Sequence, residues 1–115
     1  MAKHNPDLSL IFHALSDPTR RDMLARLVRG PVTVSDLARP TGFALPTVMR
    51  HLDVLEQADL IATTKTGRTR LCSVRPDSLS LPADWLAAQR SLWEARTDRL
   101  EAYVQTLMQE KPREP

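Results

Sequence analysis

Apolar residues recur at helical spacing up to residue 58, give way to β-branched runs, and return to helical spacing from residue 82. Leu8, Ile11, Phe12 and Leu15 stand at i, i+3, i+4 and i+7, which predicts a short amphipathic helix. Asp17-Pro18 restarts the chain, because Asp suits an N-cap and Pro the first helical position. Met23, Leu24, Leu27 and Val28 make the apolar side of this second helix, and Gly30-Pro31 ends it. Residues 33–58 then predict two short helices joined by a tight turn. Thr33 with Asp36 three positions on forms a capping box, with Asp in place of Glu or Gln. Leu37 and Ala38 supply a small apolar face. Pro40, Thr41 and Gly42 break the helix, and Gly42 can take the left-handed conformation the turn needs. The next helix, residues 45–58, carries Val48, Leu52 and Leu55 at i, i+4 and i+7, one buried stripe.

Past residue 58 the periodicity changes. Residues 60–66 and 69–74 are two β-branched-rich runs separated by Gly67-Arg68, a hairpin signal, and Pro76 stops the second. From residue 82 to about 108 Leu86, Trp93, Leu100 and Leu107 lie seven apart. Trp85 and Leu92 add a neighbouring seven-residue step, and Tyr103 and Val104 widen the stripe. A helix that long with two tryptophans exceeds what one small domain can cover. The order is four helices, a hairpin and a long helix. It predicts a mainly α fold with a small β-hairpin, a winged helix-turn-helix whose first and last helices are left to make an interface. The expected organisation is a flexible N-terminus over 1–7 and a winged helix-turn-helix domain over 8–81. A long helix over 82–110 packs on that domain, and a disordered tail covers 111–115.

Composition changes this picture little. One domain is expected from 115 residues, 42% hydrophobic and 26% charged. Sixteen Lys plus Arg against fourteen Asp plus Glu is mildly basic and does not by itself identify a nucleic-acid binder. Arg greatly outnumbers Lys, which suits bidentate phosphate or guanine contacts and equally reflects a GC-rich genome. A single cysteine, Cys72, excludes an intrachain disulfide framework and points to a reducing compartment. No apolar run is long enough to span a bilayer and no signal-peptide core opens the chain, so a cytoplasmic location is expected. No Gly-rich phosphate loop, paired-carboxylate cleft or nucleophile–base set stands out, and no cofactor or enzymatic activity is expected.

Winding residues 45–58 at about 100° per position puts Pro46, Arg50 and Asp53 opposite the buried stripe, with Thr47 and Met49 on its flanks. A short helix with a polar, Arg-bearing N-terminal half can sit in a DNA major groove. Leu45, Pro46, Thr47, Met49, Arg50 and His51 are therefore the candidate recognition-helix contacts. Arg50 can reach guanine O6 and N7, against a solvated Arg paired with Asp53 or Glu56. Thr47 either touches a base or phosphate or fills the first turn. His51 lies beside the stripe, where a hydrogen-bonded or phosphate-touching role outweighs catalysis or metal binding. Lys65, Arg68 and Arg70 cluster around Gly67 and form a cationic wing for DNA, against a charged hairpin that blunts edge pairing. Arg20 and Arg21 are as open to intramolecular pairing as to phosphate.

Three stretches, FHALSDPTRRDMLARLVRGPVTVSDLA, LPTVMRHLDVLEQADLI and TKTGRTRL, resemble the ArsR/SmtB family of bacterial winged-helix transcriptional regulators. The similarity spans roughly residues 8–107, and the DPTRR segment followed by a VSRHL-like helix is a specific combination. WLAAQRSLWEARTDRLEAYV is similar to a branch of the family without metal sites. The resemblance implies a homodimeric repressor of operator DNA, paired through Leu8, Ile11 and Phe12 of the first helix. Trp85, Leu86, Leu92, Trp93, Leu100, Tyr103 and Leu107 of the last helix would complete that interface. Metal-sensing members carry a Cys-x-Cys motif where this chain has Thr33, Val34 and Ser35, and others place His along the last helix, whereas no His follows His51 here. No metal site is therefore expected. Members commonly have Ser where Ala44 and Met49 stand, so the target sequence cannot be borrowed. Cys72 stands where relatives often carry Tyr. It is expected to be inert, with a redox-responsive repressor as a minority alternative. A winged-helix protein-interaction module without specific DNA binding is the other, and an unidentified effector remains open.

Overall fold

The computed structural model describes residues 7–110. The expected tail over 111–115 and all but the last residue of the expected flexible start lie outside the described residues. Asp7 is the N-cap of helix α1 (Leu8–Ala14), and its carboxylate accepts from the Ser9 amide at 2.8 Å. Helix α2 (Pro18–Val28) starts on Asp17, with Pro18 in its first turn. Strand β1 (Val32–Thr33) leads directly into helix α3 (Val34–Ala38). A single 3-10 turn (Arg39–Thr41) and Gly42 at φ 71° bring the chain to helix α4 (Leu45–Gln57). Strands β2 (Ile61–Thr66) and β3 (Thr69–Val74) follow, and then helix α5 (Ser80–Gln109).

Local chemistry explains most of these boundaries. Thr33 Oγ1 accepts from the Asp36 amide at 3.1 Å, the forward half of the expected capping box. The Asp36 carboxylate turns instead to Arg39, 2.9 Å away. At the end of α4 the Leu60 amide donates to the Leu55 carbonyl at 3.0 Å and the Asp59 amide to Glu56 at 2.9 Å. That pair of bonds is a Schellman closure, with Asp59 at φ 60° in the left-handed position usually held by Gly. Leu55 and Leu60, the two residues the motif brings together, are both fully buried. The β2–β3 hairpin closes on Thr66 and Thr69 with Gly67 at φ 62° as the first residue of its two-residue turn.

The sheet is antiparallel with order β1-β3-β2, so the expected hairpin gains a third strand in which Val32 faces Cys72 and Thr33 faces Leu71. Two residues show no alternation, which is why the sequence pattern conceals β1. Helix α5 begins at Ser80 rather than at Pro82. Pro82 occupies the first turn, where its missing N–H has no intrahelical acceptor to lose.

The chain forms two compact units, one ending at Pro82 and the other beginning at Ala83. The first holds an aliphatic core in which Ile11, Met23, Leu27, Leu37, Val48, Leu52, Leu55, Leu60 and Ile61 are all fully buried. Helices α1, α2 and α3 each pack against α4, so the core is built around the stripe Val48, Leu52 and Leu55. Val28, expected on the buried side of α2, is 56% exposed. It lies roughly a quarter turn from the centre of the Met23–Leu24–Leu27 face. In α1 the inward pair is Ile11 and Ala14, and Phe12 remains exposed. The second unit is helix, and every described residue from Ala83 to Glu110 is exposed.

Candidate nucleic-acid interface

Burial of Val48, Leu52 and Leu55 turns the opposite face of α4 to solvent, so Pro46, Arg50 and Asp53 are exposed and Thr47 is half-buried. Ala44 supplies no side-chain cap, and Pro46 sits in the first turn. The N-terminal half of α4, the start of α3 and the wing enclose one open groove of about 510 Å³. Leu45 and Met49 from α4 line it together with Lys65, Arg68 and Arg70 from the hairpin. Thr33, Val34, Ser35 and Thr69 complete its wall. Thr33, Ser35 and Thr69 are groove residues that the sequence pattern does not single out. Thr33 signals a helix cap, and that role hides a hydroxyl's second use. Pro46, Thr47, Arg50 and His51 do not line this groove.

The cations differ in how they are held. Arg50, Lys65 and Arg68 make no hydrogen bond or ion pair among the described residues, so the expected alternative for Arg50, a pair with Asp53 or Glu56, is not formed. Arg70 Nη1 donates to Thr63 Oγ1 at 3.2 Å, and that hydroxyl lies 3.4 Å from Glu56 Oε2. Arg70 therefore belongs both to the groove and to a chain tying the wing to α4.

His51 faces inward. Its Nδ1 is 3.2 Å from Arg20 Nη1 and 4.0 Å from Asp17 Oδ2, and its ring lies beside Phe43 with centroids 6.2 Å apart. Because a guanidinium can only donate, Nδ1 is the acceptor and the ring proton of neutral His51 sits on Nε2. Arg20 also donates from Nε to the Ala14 carbonyl at 2.8 Å and from Nη2 to the His13 carbonyl at 3.1 Å. Arg21 Nη1 donates to the Leu15 carbonyl at 2.8 Å. Both arginines thus donate to backbone carbonyls at the C-terminus of α1, where a positive charge also complements the helix dipole. The Arg20 amide, donating at 3.1 Å, is the main influence holding the Asp17 carboxyl below its ordinary range, against a smaller opposing effect of burial. For Arg20 and Arg21 the intramolecular alternative is the one the structure displays.

Residues 15–64 match a family model described as a helix-turn-helix domain. The solved structure of an ArsR family transcriptional regulator is 49% identical, superposes with a TM-score of 0.72, and is matched over 76% of this chain and 96% of that one. This chain belongs to the ArsR family. The transcriptional repressor SdpR of Bacillus subtilis is 33% identical over 66% of this chain and 84% of its own length. A homodimeric winged helix-turn-helix DNA-binding domain from Mycobacterium bovis, 22% identical over 76% of this chain and 82% of that one, shares the fold with a TM-score of 0.60. The chain is accordingly a transcriptional regulator with a helix-turn-helix DNA-binding domain, and its relatives are regulators rather than enzymes.

Within this ArsR-family chain Cys72 is fully buried on β3, between Val32 and Thr63 in the sheet register. Burial pushes its thiol pKa up, and Glu56 adds to the rise against a smaller opposing effect of Arg70. Oxidative sensing needs an accessible thiolate, and this environment disfavours both properties. Among the described residues no three His, Cys, Asp or Glu side chains converge to hold a metal ion, and no helix is long and apolar enough to cross a membrane. On α5, Trp85, Leu86, Leu92, Trp93, Leu100, Tyr103 and Leu107 are between 46% and 66% exposed. Leu8 is half-buried and Phe12 exposed, but Ile11 is 1% exposed. Its place in the interface set is corrected, because a side chain enclosed in its own protomer's core has no surface left for a partner.

Proposed function

We propose that this ArsR-family regulator is a homodimeric, metal-independent repressor that reads an imperfect inverted repeat. The observation that carries the proposal is the presence of an exposed, uncommitted Arg50 on α4 together with the uncommitted Lys65 and Arg68 of the wing. Thr47, Met49 and Arg50 read base edges, with Arg50 suited to guanine and Met49 to a thymine methyl. Lys65 and Arg68 supply the charge term along the backbone, and Arg70 contributes while holding the wing to α4. The exposed apolar stripe of α5, with Leu8 and Phe12 of α1, pairs two copies. Two α4 helices then enter successive major grooves, so half-sites lie about one helical turn apart. Metal independence is supported by Thr33, Val34 and Ser35, which line the groove and offer no thiolate. Repression follows from occupying a promoter that the polymerase needs, in the cytoplasm.

The test is fluorescence anisotropy on the protein's own upstream duplex and a scrambled one at two salt concentrations. Preference for the native duplex by roughly a thousandfold or more supports a specific repressor. Arg50→Ala is expected to cost about 1–3 kcal/mol on that duplex. Arg68→Ala is expected to reduce the slope of log K against log salt by about 1. Native affinity in both variants would overturn the mechanism, and a folded dimer that binds neither duplex would favour a protein partner at the same surface.

A further inference from the structure

We infer that Arg20 is a positioning residue for DNA binding, a strut that sets the recognition helix against α1 without touching DNA itself. The inference rests on the repressor reading above. From its place on α2, the Arg20 side chain bonds two other helices at once. Nε and Nη2 reach the Ala14 and His13 carbonyls of α1, while Nη1 reaches His51 Nδ1 in the middle of α4. Three of the fork's directions are thereby assigned, and the backbone of the same residue is fixed to Asp17. A planar guanidinium bonded along several edges has little rotational freedom, unlike an ammonium on a flexible stem.

The placement matters because His51 directly follows Arg50 on α4. The buried stripe holds α4 against the core by apolar packing, which is weakly directional, and the Arg70–Thr63–Glu56 chain ties the helix to the wing rather than to the other helices. The Arg20–His51 bond adds a directional constraint on the flank of the helix. It connects that flank to the end of α1, a helix whose exposed residues the dimer reading assigns to the partner. Docking two recognition helices at one spacing requires them to be held at a fixed angle, and small misplacements weaken every base contact together. Arg20 is also poorly placed to neutralise phosphate, since three of its five donors, one on each nitrogen, are already directed at protein acceptors. Its contribution to binding should therefore be independent of salt.

The experiment is a double-mutant cycle on operator affinity with Arg20→Ala, His51→Ala and the double variant, each measured as a folded dimer across a salt series. Each single change is expected to weaken binding about tenfold and the double to be no weaker than either single, the non-additivity of residues acting as one unit. All slopes of log K against log salt should equal that of the wild type, whereas loss of a phosphate contact lowers the slope by about 0.9. Arg20→Lys, which keeps the charge and loses the fork, should bind as weakly as Arg20→Ala, and it replaces Arg20→Ala in the cycle if that variant does not fold. Additive losses, a reduced slope, or full affinity in Arg20→Lys would each overturn the strut while leaving the repressor reading intact. A wild-type dimer that binds no duplex would overturn both.

Discussion

The first unit and α5 contain similar apolar residues at helical spacing, yet they end in opposite environments. In the first, the stripe Val48, Leu52 and Leu55 meets facing stripes from three helices and is wholly enclosed. In α5, Trp93 and Leu92 are each 66% exposed on a helix whose stripe is longer and contains more aromatic surface. Periodicity states that a face must be covered; it does not state which chain covers it. The charges show a parallel contrast. Arg20, Arg21 and Arg26 are bonded to backbone carbonyls at the ends of neighbouring helices, whereas Arg50, Lys65 and Arg68 have no such commitment among the described residues. An arginine-rich composition therefore divides into an internal set that fastens helices together and an outward set available to a polyanion.

Substitutions can sharpen this comparison. The largest effect is expected at the centre of the core. Leu55→Ala should destabilise the fold by about 2–5 kcal/mol, measured by urea unfolding, through lost burial and the cavity left behind. A loss below about 1 kcal/mol would mean that the core readily collapses around α4. Trp93→Ala, by contrast, should leave the first unit intact. It should raise the dimer dissociation constant by roughly thirtyfold, the effect of removing a central aromatic anchor of about 2 kcal/mol. Sedimentation equilibrium measures it, and an unchanged constant would remove the α5 stripe from the interface.

A smaller effect is expected at the turn into α4. Nothing lies within 4 Å of a Cβ built on Gly42, so Gly42→Ala meets only the strain of φ 71°. The expected loss is about 1 kcal/mol in thermal or urea unfolding, with no steric clash to enlarge it. The smallest effect, a null one, belongs to Cys72. Ellman's reagent should leave it unmodified in native buffer and react with one thiol per chain after unfolding. Rapid reaction in the folded protein, or operator affinity lost to peroxide, would restore the redox alternative.

Much of the fold was legible because its determinants are local. Thr33, Asp17-Pro18 and Gly42 mark helix ends through their own hydrogen-bonding and φ preferences, and Gly67 marks the hairpin. Strand β1 was not legible, since two residues become a strand only by pairing with Leu71 and Cys72, almost forty positions away. The left-handed Asp59 was equally hidden. Its conformation is held by burial of Leu55 and Leu60 and by the Arg75 guanidinium 3.4 Å from its carboxylate. For the candidate site, helical winding alone placed Pro46, Arg50 and Asp53 outward. It could not show that Met49 and Leu45 share a groove with Lys65 and Arg68, because no local rule sets the approach of wing and helix.

The sequence by itself determined where the first four helices begin, which face of α4 is buried, and that the last helix carries more apolar surface than a small domain encloses. Each of these follows from residues within a few positions of one another. Only the tertiary structure decided which arginines are committed inward, that Ile11 belongs to its own core, and that His51 accepts from Arg20. Those outcomes depend on distances between segments far apart in the chain, and a one-dimensional pattern contains no such distances.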